Sequence, residues 1–192
     1  MTIVLVGCAN PINKKTAQNY YRAAINAQQN GDWENARMYF SRAIVNAELG
    51  GIDSSTLAVL WYEYGRSSGV TCNWIEAEKG LLKAYELDRA NKGPTYMSLY
   101  ELARMNYDQK NFENAVGYFD KAYLEFEENQ IDTKDPVGYA DFLDEYSFTL
   151  ENINKRDKVE GLKIRSSKIR EAFKGKKSHT DKTPYGTNCI SS

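Results

Sequence analysis

The chain has 192 residues, of which 42% are hydrophobic and 12% aromatic, which is ample for one packed domain and excludes disorder throughout. Its 25 Lys and Arg against 26 Asp and Glu give a formal net charge of -1, so no global field attracts nucleic acid or acidic substrates. Membrane-spanning helices in the mature chain are also excluded, because no run of 18 or more apolar residues occurs.

The first residues, MTIVLVGC, are typical of an export signal that ends at a lipidated cysteine. Residues 5–8, LVGC, resemble the lipobox of bacterial lipoproteins, in which the cysteine becomes the acylated first residue after cleavage. The apolar segment is short and no Lys or Arg precedes it, which a start codon upstream of Met1 would explain. The alternative is a chance match of four common residues. The resemblance makes Cys8 the expected lipidation site.

The same resemblance predicts a compartment. Residue Ala9 follows the expected lipidation site, and it is not the Asp that retains lipoproteins at the inner membrane. Residues 1–16 are therefore interpreted as a signal-peptide remnant with its lipobox and a linker. The expected product is an outer-membrane lipoprotein that faces the periplasm and is held in the membrane by a lipid anchor.

Three later stretches align with one another: GDWENARMYFSRAI, CNWIEAEKGLLKAY and KNFENAVGYFDKAY. In each, an aromatic residue is followed by Ala, a bulky apolar residue and Ala at spacings of 3, 4 and 3, which define one face of a helix. The positions are Trp33, Ala36, Phe40 and Ala43, then Trp74, Ala77, Leu81 and Ala84, then Phe112, Ala115, Phe119 and Ala122.

A further amphipathic helix is predicted before each of these stretches, over residues 17–29, 56–67 and 95–109. Small alanine side chains let two helices approach closely. Each pair is therefore expected to form an antiparallel hairpin, with the first Ala of each stretch buried at the helix crossing.

These hairpins resemble the tetratricopeptide repeat (TPR), whose first helix carries Trp-x-x-Leu-Gly-x-x-Tyr and whose second helix is marked by Ala, Phe and Ala. The segment LWYEYG, with Trp61, Tyr64 and Gly65, fits the first helix. The resemblance implies an all-α fold, a right-handed superhelix of antiparallel helix hairpins. Three repeats are clear, and residues 17–173 form the predicted TPR-like domain.

A degraded fourth repeat is predicted to cap this domain. The segment LDEYS echoes WYEYG, and a helix follows it with Val159, Leu162, Ile169 and Phe173 available for burial. Polar residues replace the expected small and aromatic ones, as suits a terminal unit whose outer face meets solvent.

Residues 174–192 lose the apolar periodicity and are interpreted as a basic, turn-rich tail. Eleven basic and four acidic residues lie between positions 155 and 182, so the C-terminal end forms a basic pole. In an oxidising compartment, lipidation of one cysteine leaves Cys72 and Cys189 as an even pair. A disulfide between them would bring the tail back over the second repeat. A frayed tail with an idle thiol is the alternative.

Catalytic and metal-binding motifs are weak. The chain has one histidine, no HExxH and no paired CxxC. Although His179, Asp181 and Cys189 supply the residue types of a nucleophile set, they lie in the tail without a scaffold to fix their geometry. A metal site made of Cys72, His179 and Cys189 would lack a fourth ligand. We therefore expect no enzyme, no cofactor and no metal.

The TPR resemblance implies a binding groove lined by the first helix of each hairpin. Tyrosine and arginine, which are enriched in binding hot spots, recur there, although some of these tyrosines could simply pack between hairpins. Lys and Asn, which clamp a carboxylate in co-chaperone repeats, are not at these positions. The groove residues by resemblance are Tyr21, Ile25, Tyr62, Arg66, Met97, Tyr100, Arg104 and Tyr107.

The sequence thus favours a non-catalytic scaffold for protein–protein interaction, tethered to the bacterial envelope. Its expected partners are other envelope proteins or peptides in a larger hetero-complex, and no nucleic acid. The alternative is a lipoprotein that binds a membrane surface or polyanion through its basic pole. The salt dependence of binding would distinguish the two functions, because polyanion binding weakens steeply as ionic strength rises, whereas binding in the tyrosine-lined groove should hardly change.

Overall fold

A computed structural model describes residues 10–189 of the chain. The predicted lipidation site Cys8 lies outside the described residues. Every regular element in residues 10–189 is a helix, and none of these helices is long and apolar enough to cross a membrane. The helices are α1 (Pro11–Gln29), α2 (Trp33–Gly50), α3 (Ser54–Val70), α4 (Trp74–Asn91), α5 (Thr95–Asp108), α6 (Phe112–Glu128), α7 (Ile131–Lys134), α8 (Pro136–Asn152) and α9 (Val159–Ala172).

The described residues group into two compact units by their contacts. Unit 1 comprises residues 10–93 together with Asn188 and Cys189, and unit 2 comprises Pro94–Thr187. Unit 1 holds the hairpins α1/α2 and α3/α4. Unit 2 holds the hairpins α5/α6 and α8/α9, the single turn α7 and most of the tail.

Local capping explains where the helices of unit 1 begin. Helix α1 starts six residues before the predicted Ala17, because the Asn10 side chain accepts a hydrogen bond from the Ile12 amide at 2.9 Å and Pro11 occupies the first turn. Helix α2 starts at the aromatic residue of its stretch, after Asp32, whose carboxylate accepts from a backbone amide of the first turn. Short polar side chains thus fix the hairpin boundaries.

The repeated helical face is buried in both units, which confirms the hairpin register. The two alanines and the bulky residue between them are 0% exposed in each of the three stretches. These nine residues are Ala36, Phe40, Ala43, Ala77, Leu81, Ala84, Ala115, Phe119 and Ala122.

Helices α3 and α4 of unit 1 cross at two glycines. A Cβ atom on Gly80 would lie 2.9 Å from the Cα atom of Gly65 and 3.1 Å from the carbonyl oxygen of Trp61. Both contacts are with backbone, which cannot rotate away as a side chain could. The crossing therefore requires a residue without Cβ at position 80.

We expect Gly80→Ala to lower the free energy of unfolding by about 1 to 3 kcal/mol, because the added methyl group pushes α4 away from α3. The matched control is Gly117→Ala in α6, where, apart from the chain neighbours and the nearby backbone of α6 itself, no atom lies within 4 Å of the added Cβ. That change should stabilise the protein by about 0.5 to 1 kcal/mol, since glycine is the poorer helix former. Denaturant unfolding of both variants measures the difference, and equal stabilities would contradict the crossing described here.

Unit 2 has an aromatic core. The Phe142 ring of α8 lies 4.5 Å from that of Phe126 and 5.2 Å from that of Tyr100, centroid to centroid. The predicted fourth hairpin is present as α8 and α9, with Val159 and Leu162 buried as expected. Ile169 is partly buried, whereas the expectation for Phe173 is wrong: it follows the last residue of α9 and is 41% exposed.

Candidate functional site

The predicted groove residues of unit 1 form a stacked, polar surface. The guanidinium carbon of Arg66 lies 5.5 Å from the centroid of the Tyr62 ring, in cation–π geometry. Glu63 pairs with Arg66 at 3.0 Å. Tyr21 is 37% exposed, and Ile25 packs against the core of unit 1. All four predicted side chains thus border solvent at least in part, and Ile25 also packs against the core.

The predicted groove residues of unit 2 are more deeply set. Arg104 lies over the Tyr100 ring at 5.4 Å and is 3% exposed. Tyr107 packs against the rings of Phe112 and Phe148, and Met97 is partly buried. In this unit the alternative interpretation therefore describes Tyr100 and Tyr107 well, since both contribute to aromatic packing.

A recurring Glu-x-x-Arg pair was missed by the sequence-based prediction. Glu63 and Arg66 form it in α3, and Glu101 and Arg104 form it in α5 at 3.2 Å. The pair occupies the same place in the two aligned segments WYEYGR and LYELAR, so alignment of the first helices contained the signal. The acid matters because it supplies the charge that holds the groove arginine in place.

In unit 2 this pair is buried and joined by a second acid. Glu145 of α8 lies 3.4 Å from Nε of Arg104, an ion-pair distance without a direct hydrogen bond. Glu101 is 4% exposed and Glu145 8%. Burial opposes the charged form of Arg104, but the two carboxylates outweigh it and raise the pKa of the guanidinium. The three residues carry a formal charge of -1, and we call them the tail site.

The tail lies directly on this site. The Tyr185 hydroxyl donates to Oε2 of Glu101 at 2.6 Å, and Lys182 pairs with Glu145 at 2.6 Å. Arg104 donates through Nη2 to the backbone carbonyl of Thr183 at 3.3 Å. Thr183 is 0% exposed and Tyr185 6%, so this part of the tail packs into unit 2.

A second anchor holds the tail at the start of α8. Asp135 Oδ2 accepts hydrogen bonds from the Ser178 hydroxyl at 2.7 Å and from the His179 amide at 3.2 Å, while Oδ1 accepts from Gly138 N at 3.0 Å. Burial alone would raise the pKa of the Asp135 carboxyl, but these hydrogen bonds to its charged form outweigh burial and lower it.

The lowered pKa of Asp135 makes the tail anchor sensitive to acid. Its ionised form contributes stability that is fully present above the ordinary pKa of 3.8 and is lost as the pH falls through the lower folded-state value. We expect Asp135→Asn, which keeps the helix cap, to cost about 1 to 2 kcal/mol at neutral pH. That cost should shrink once the pH is below 3.8. Denaturant unfolding across this range tests it, and a pH-independent cost would contradict the anchor.

The structure joins Cys72 to Cys189 through a disulfide, with their Cα atoms 5.1 Å apart. Both cysteines belong to unit 1. The Asn188 amide next to the bond donates to the Val70 carbonyl at 3.0 Å, which fixes the tail end at the turn after α3. Cys72 sits in that turn at φ 62°, the left-handed conformation that Gly31 adopts in the first hairpin.

One segment matches the G-x-S-x-G nucleophile motif of hydrolases, namely residues 65–69, GRSSG. That motif needs a serine exposed at a strand-to-helix turn, whereas Ser67 lies inside α3 and is 0% exposed. Two members of the nucleophile-like set in the tail have structural contacts instead: Cys189 is disulfide-bonded, and the backbone amide of His179 donates a hydrogen bond to Asp135. Among residues 10–189, no three His, Cys, Asp or Glu side chains are grouped to hold a metal ion.

Ion pairs within unit 2 neutralise much of the basic pole. Of the eleven basic residues between positions 155 and 182, five pair with carboxylates. Arg170 contacts two carboxylates, Asp141 at 2.7 Å and Asp144 at 2.5 Å, and Arg165 also contacts two. The five are Lys158, Lys163, Arg165, Arg170 and Lys182. A surface paired in this way presents less positive charge than the sequence predicts.

No protein-family profile and no curated protein sequence matches the chain significantly. Solved structures do match its fold. BtubC from P. vanneervenii superposes with a TM-score of 0.75 at 15% identity, over 86% of this chain and 67% of that one. Aspartyl phosphate phosphatase F from Bacillus subtilis gives 0.72 at 16% identity, over 83% of this chain and 41% of that one.

A third similar structure, kinesin light chain TPR-like repeats from Podosopora anserina, gives a TM-score of 0.62 at 15% identity, over 83% of this chain and 77% of that one. Together with the buried repeat face, these likenesses define the class: the chain is an all-α protein of TPR-like helical hairpins.

Proposed function

We propose that this chain is a non-catalytic scaffold for protein–protein interaction, tethered to the bacterial envelope by a lipid on Cys8, where it helps to assemble or stabilise a larger complex. One observation carries the scaffold: helices α5 and α8 already hold an irregular peptide, the tail, through both its side chains and its backbone. Peptide capture by a rigid helical surface is a general mode of recognition.

The surface of unit 1 supports the same function. Its exposed Tyr21 and its Tyr62–Arg66 stack offer large contact area at low entropic cost, together with a forked hydrogen-bond donor. Ion pairs at five of the eleven basic residues of the basic pole favour protein binding over the polyanion-binding alternative, because paired cations release fewer counterions on binding.

The scaffold is tested by crosslinking at Tyr21. A photoreactive amino acid at this exposed position, in the full-length protein expressed in its native envelope, should yield a discrete adduct with a second protein. The matched control carries the same amino acid at Ile75, which is 82% exposed on α4. Adducts of equal yield at both positions, or none at Tyr21, would contradict a binding surface there.

The lipid anchor is a separate prediction. Protein purified from native membranes should begin at an acylated Cys8, since the LVGC segment resembles a lipobox. Mass spectrometry of the N-terminal peptide measures this, and Cys8→Ser should release the protein from the membrane fraction. An unmodified peptide that runs through Gly7 and Cys8 would end the lipoprotein proposal and leave the scaffold untouched.

A further inference from the structure

The tail site of unit 2 is built like a receptor for a short peptide. Three tail residues supply the contacts: a cation at Lys182, a backbone carbonyl at Thr183 and a phenol at Tyr185. Each meets a different group of the site, namely Glu145, Arg104 and Glu101. Residues 181–184 are neither helix nor strand, so recognition depends on a short linear pattern.

Charge makes the pattern specific. The two carboxylates and one guanidinium of the tail site leave a net charge of -1 in a nearly buried setting, which Lys182 neutralises from a position that is itself 66% exposed. An uncompensated buried charge is costly, so the site favours a ligand that carries one cation. The carboxylate of Glu101 accepts a hydrogen bond and therefore favours a hydroxyl over a plain aromatic ring.

The helices that form the site also pack directly against one another. Helix α5 contacts α6 and α8, and the rings of Tyr100, Phe126 and Phe142 fill the space between them. The tail adds polar contacts through Lys182, Thr183 and Tyr185 and buries Thr183 and Tyr185 against this core. Polar contacts of this kind can be exchanged for the same contacts from another chain, because water or a second peptide can satisfy each group in turn.

We infer that the tail site binds an extended segment of a partner protein with a lysine or arginine three residues before a tyrosine, and that the tail is an intramolecular competitor for that segment. This inference rests on the proposed scaffold function and names the partner chemistry for one of its surfaces. A tethered tail acts at an effective concentration in the millimolar range. The site is therefore closed to weak ligands until the tail leaves it.

The test uses the full-length chain and a fluorescent peptide with the sequence of residues 178–187. A release variant carries Lys182→Ser and Tyr185→Ser, which remove the two side-chain contacts of the tail. The peptide should bind the release variant saturably and at least tenfold more tightly than it binds the wild type, whose site the tail fills. Fluorescence anisotropy measures both affinities.

Changes in the probe provide the control, because they cannot disturb the fold of the protein. A peptide with Tyr185→Phe loses the hydroxyl contact to Glu101, and one with Lys182→Ser loses the cation that faces Glu145. Each should bind the release variant roughly tenfold more weakly. Equal binding of all three peptides would overturn the inferred pattern.

Two further outcomes would overturn the inference. One is no binding to a release variant whose circular dichroism and melting curve match those of the wild type; if the double variant does not fold, Lys182→Ser alone is used, with the same expected direction. The other is a dimer of the release variant with the wild type that dissociates when the peptide is added. That result would show that the site binds the tail of a second copy of this chain. Neither outcome affects crosslinking at Tyr21 in unit 1, so the scaffold proposal is tested separately.

Discussion

Replacing Arg104 by methionine is expected to lower the free energy of unfolding by about 3 to 5 kcal/mol. Arg104 is 3% exposed, and its guanidinium is the internal counterion of Glu101 and Glu145, which are themselves nearly buried. Methionine fills much of the same volume but leaves both carboxylates without that charge. The loss is therefore electrostatic, and denaturant unfolding followed by circular dichroism measures it.

Arg66→Met in unit 1 is the matched control. It removes the same Glu-x-x-Arg pair at a place where Arg66 and Glu63 keep 14% and 15% of their side-chain surface exposed. The remaining Glu63 keeps some contact with water and a hydrogen bond from Gln28 at 2.8 Å, so the expected cost is smaller, about 1 to 2 kcal/mol. Equal losses of unfolding free energy in the two variants would show that burial of the tail site does not increase the cost of removing its arginine. Adding Glu101→Gln to Arg104→Met should recover part of the loss, because it removes one stranded charge.

The second large effect concerns the disulfide. We expect Cys189→Ser to lower the free energy of unfolding by about 2 to 4 kcal/mol, since the bond closes a loop over a sequence separation of 117 residues. For a chain of this size the melting temperature should fall by roughly 4 to 16 °C. Differential scanning calorimetry measures the shift.

A reductant distinguishes the effect of losing the disulfide from the effect of changing the Cys189 side chain. Dithiothreitol should lower the melting temperature of the wild type to that of Cys189→Ser and leave the variant unchanged. A wild type that melts at the same temperature with and without reductant would show that Cys72 and Cys189 are not bonded. A non-reducing peptide map of the same sample identifies the bonded peptides directly.

The repeats could be predicted from the sequence because they obey a local rule. A 3, 4, 3 spacing of apolar residues places them on one helical face wherever the helix lies in the fold, and all nine core positions that follow it are buried. The first helices were predicted less accurately at their ends. Pro11 and Asn10, which begin α1, act through capping and not through periodicity.

The tail site could not be predicted in the same way. Its members Glu101 and Glu145 lie on different helices, and Tyr185 reaches Glu101 across 84 residues of sequence. No periodic pattern connects such positions. The repeat position of Arg104 predicts a groove residue, and in the structure Arg104 donates to the chain's own tail at Thr183. The division into two units is likewise a matter of long-range contacts.

The disulfide has a further consequence for the choice of cysteine partners during folding. Thiols stay reduced in the cytosol and are oxidised only after export, so in the proposed lipoprotein all pairing is decided in the oxidising compartment. The chain has three cysteines, and Cys72 must find Cys189 across a separation of 117 residues. Cys8 is the third cysteine, and its acylation would remove it as a wrong partner. In the proposed lipoprotein, the lipid would therefore act as a guide for oxidative folding as well as an anchor.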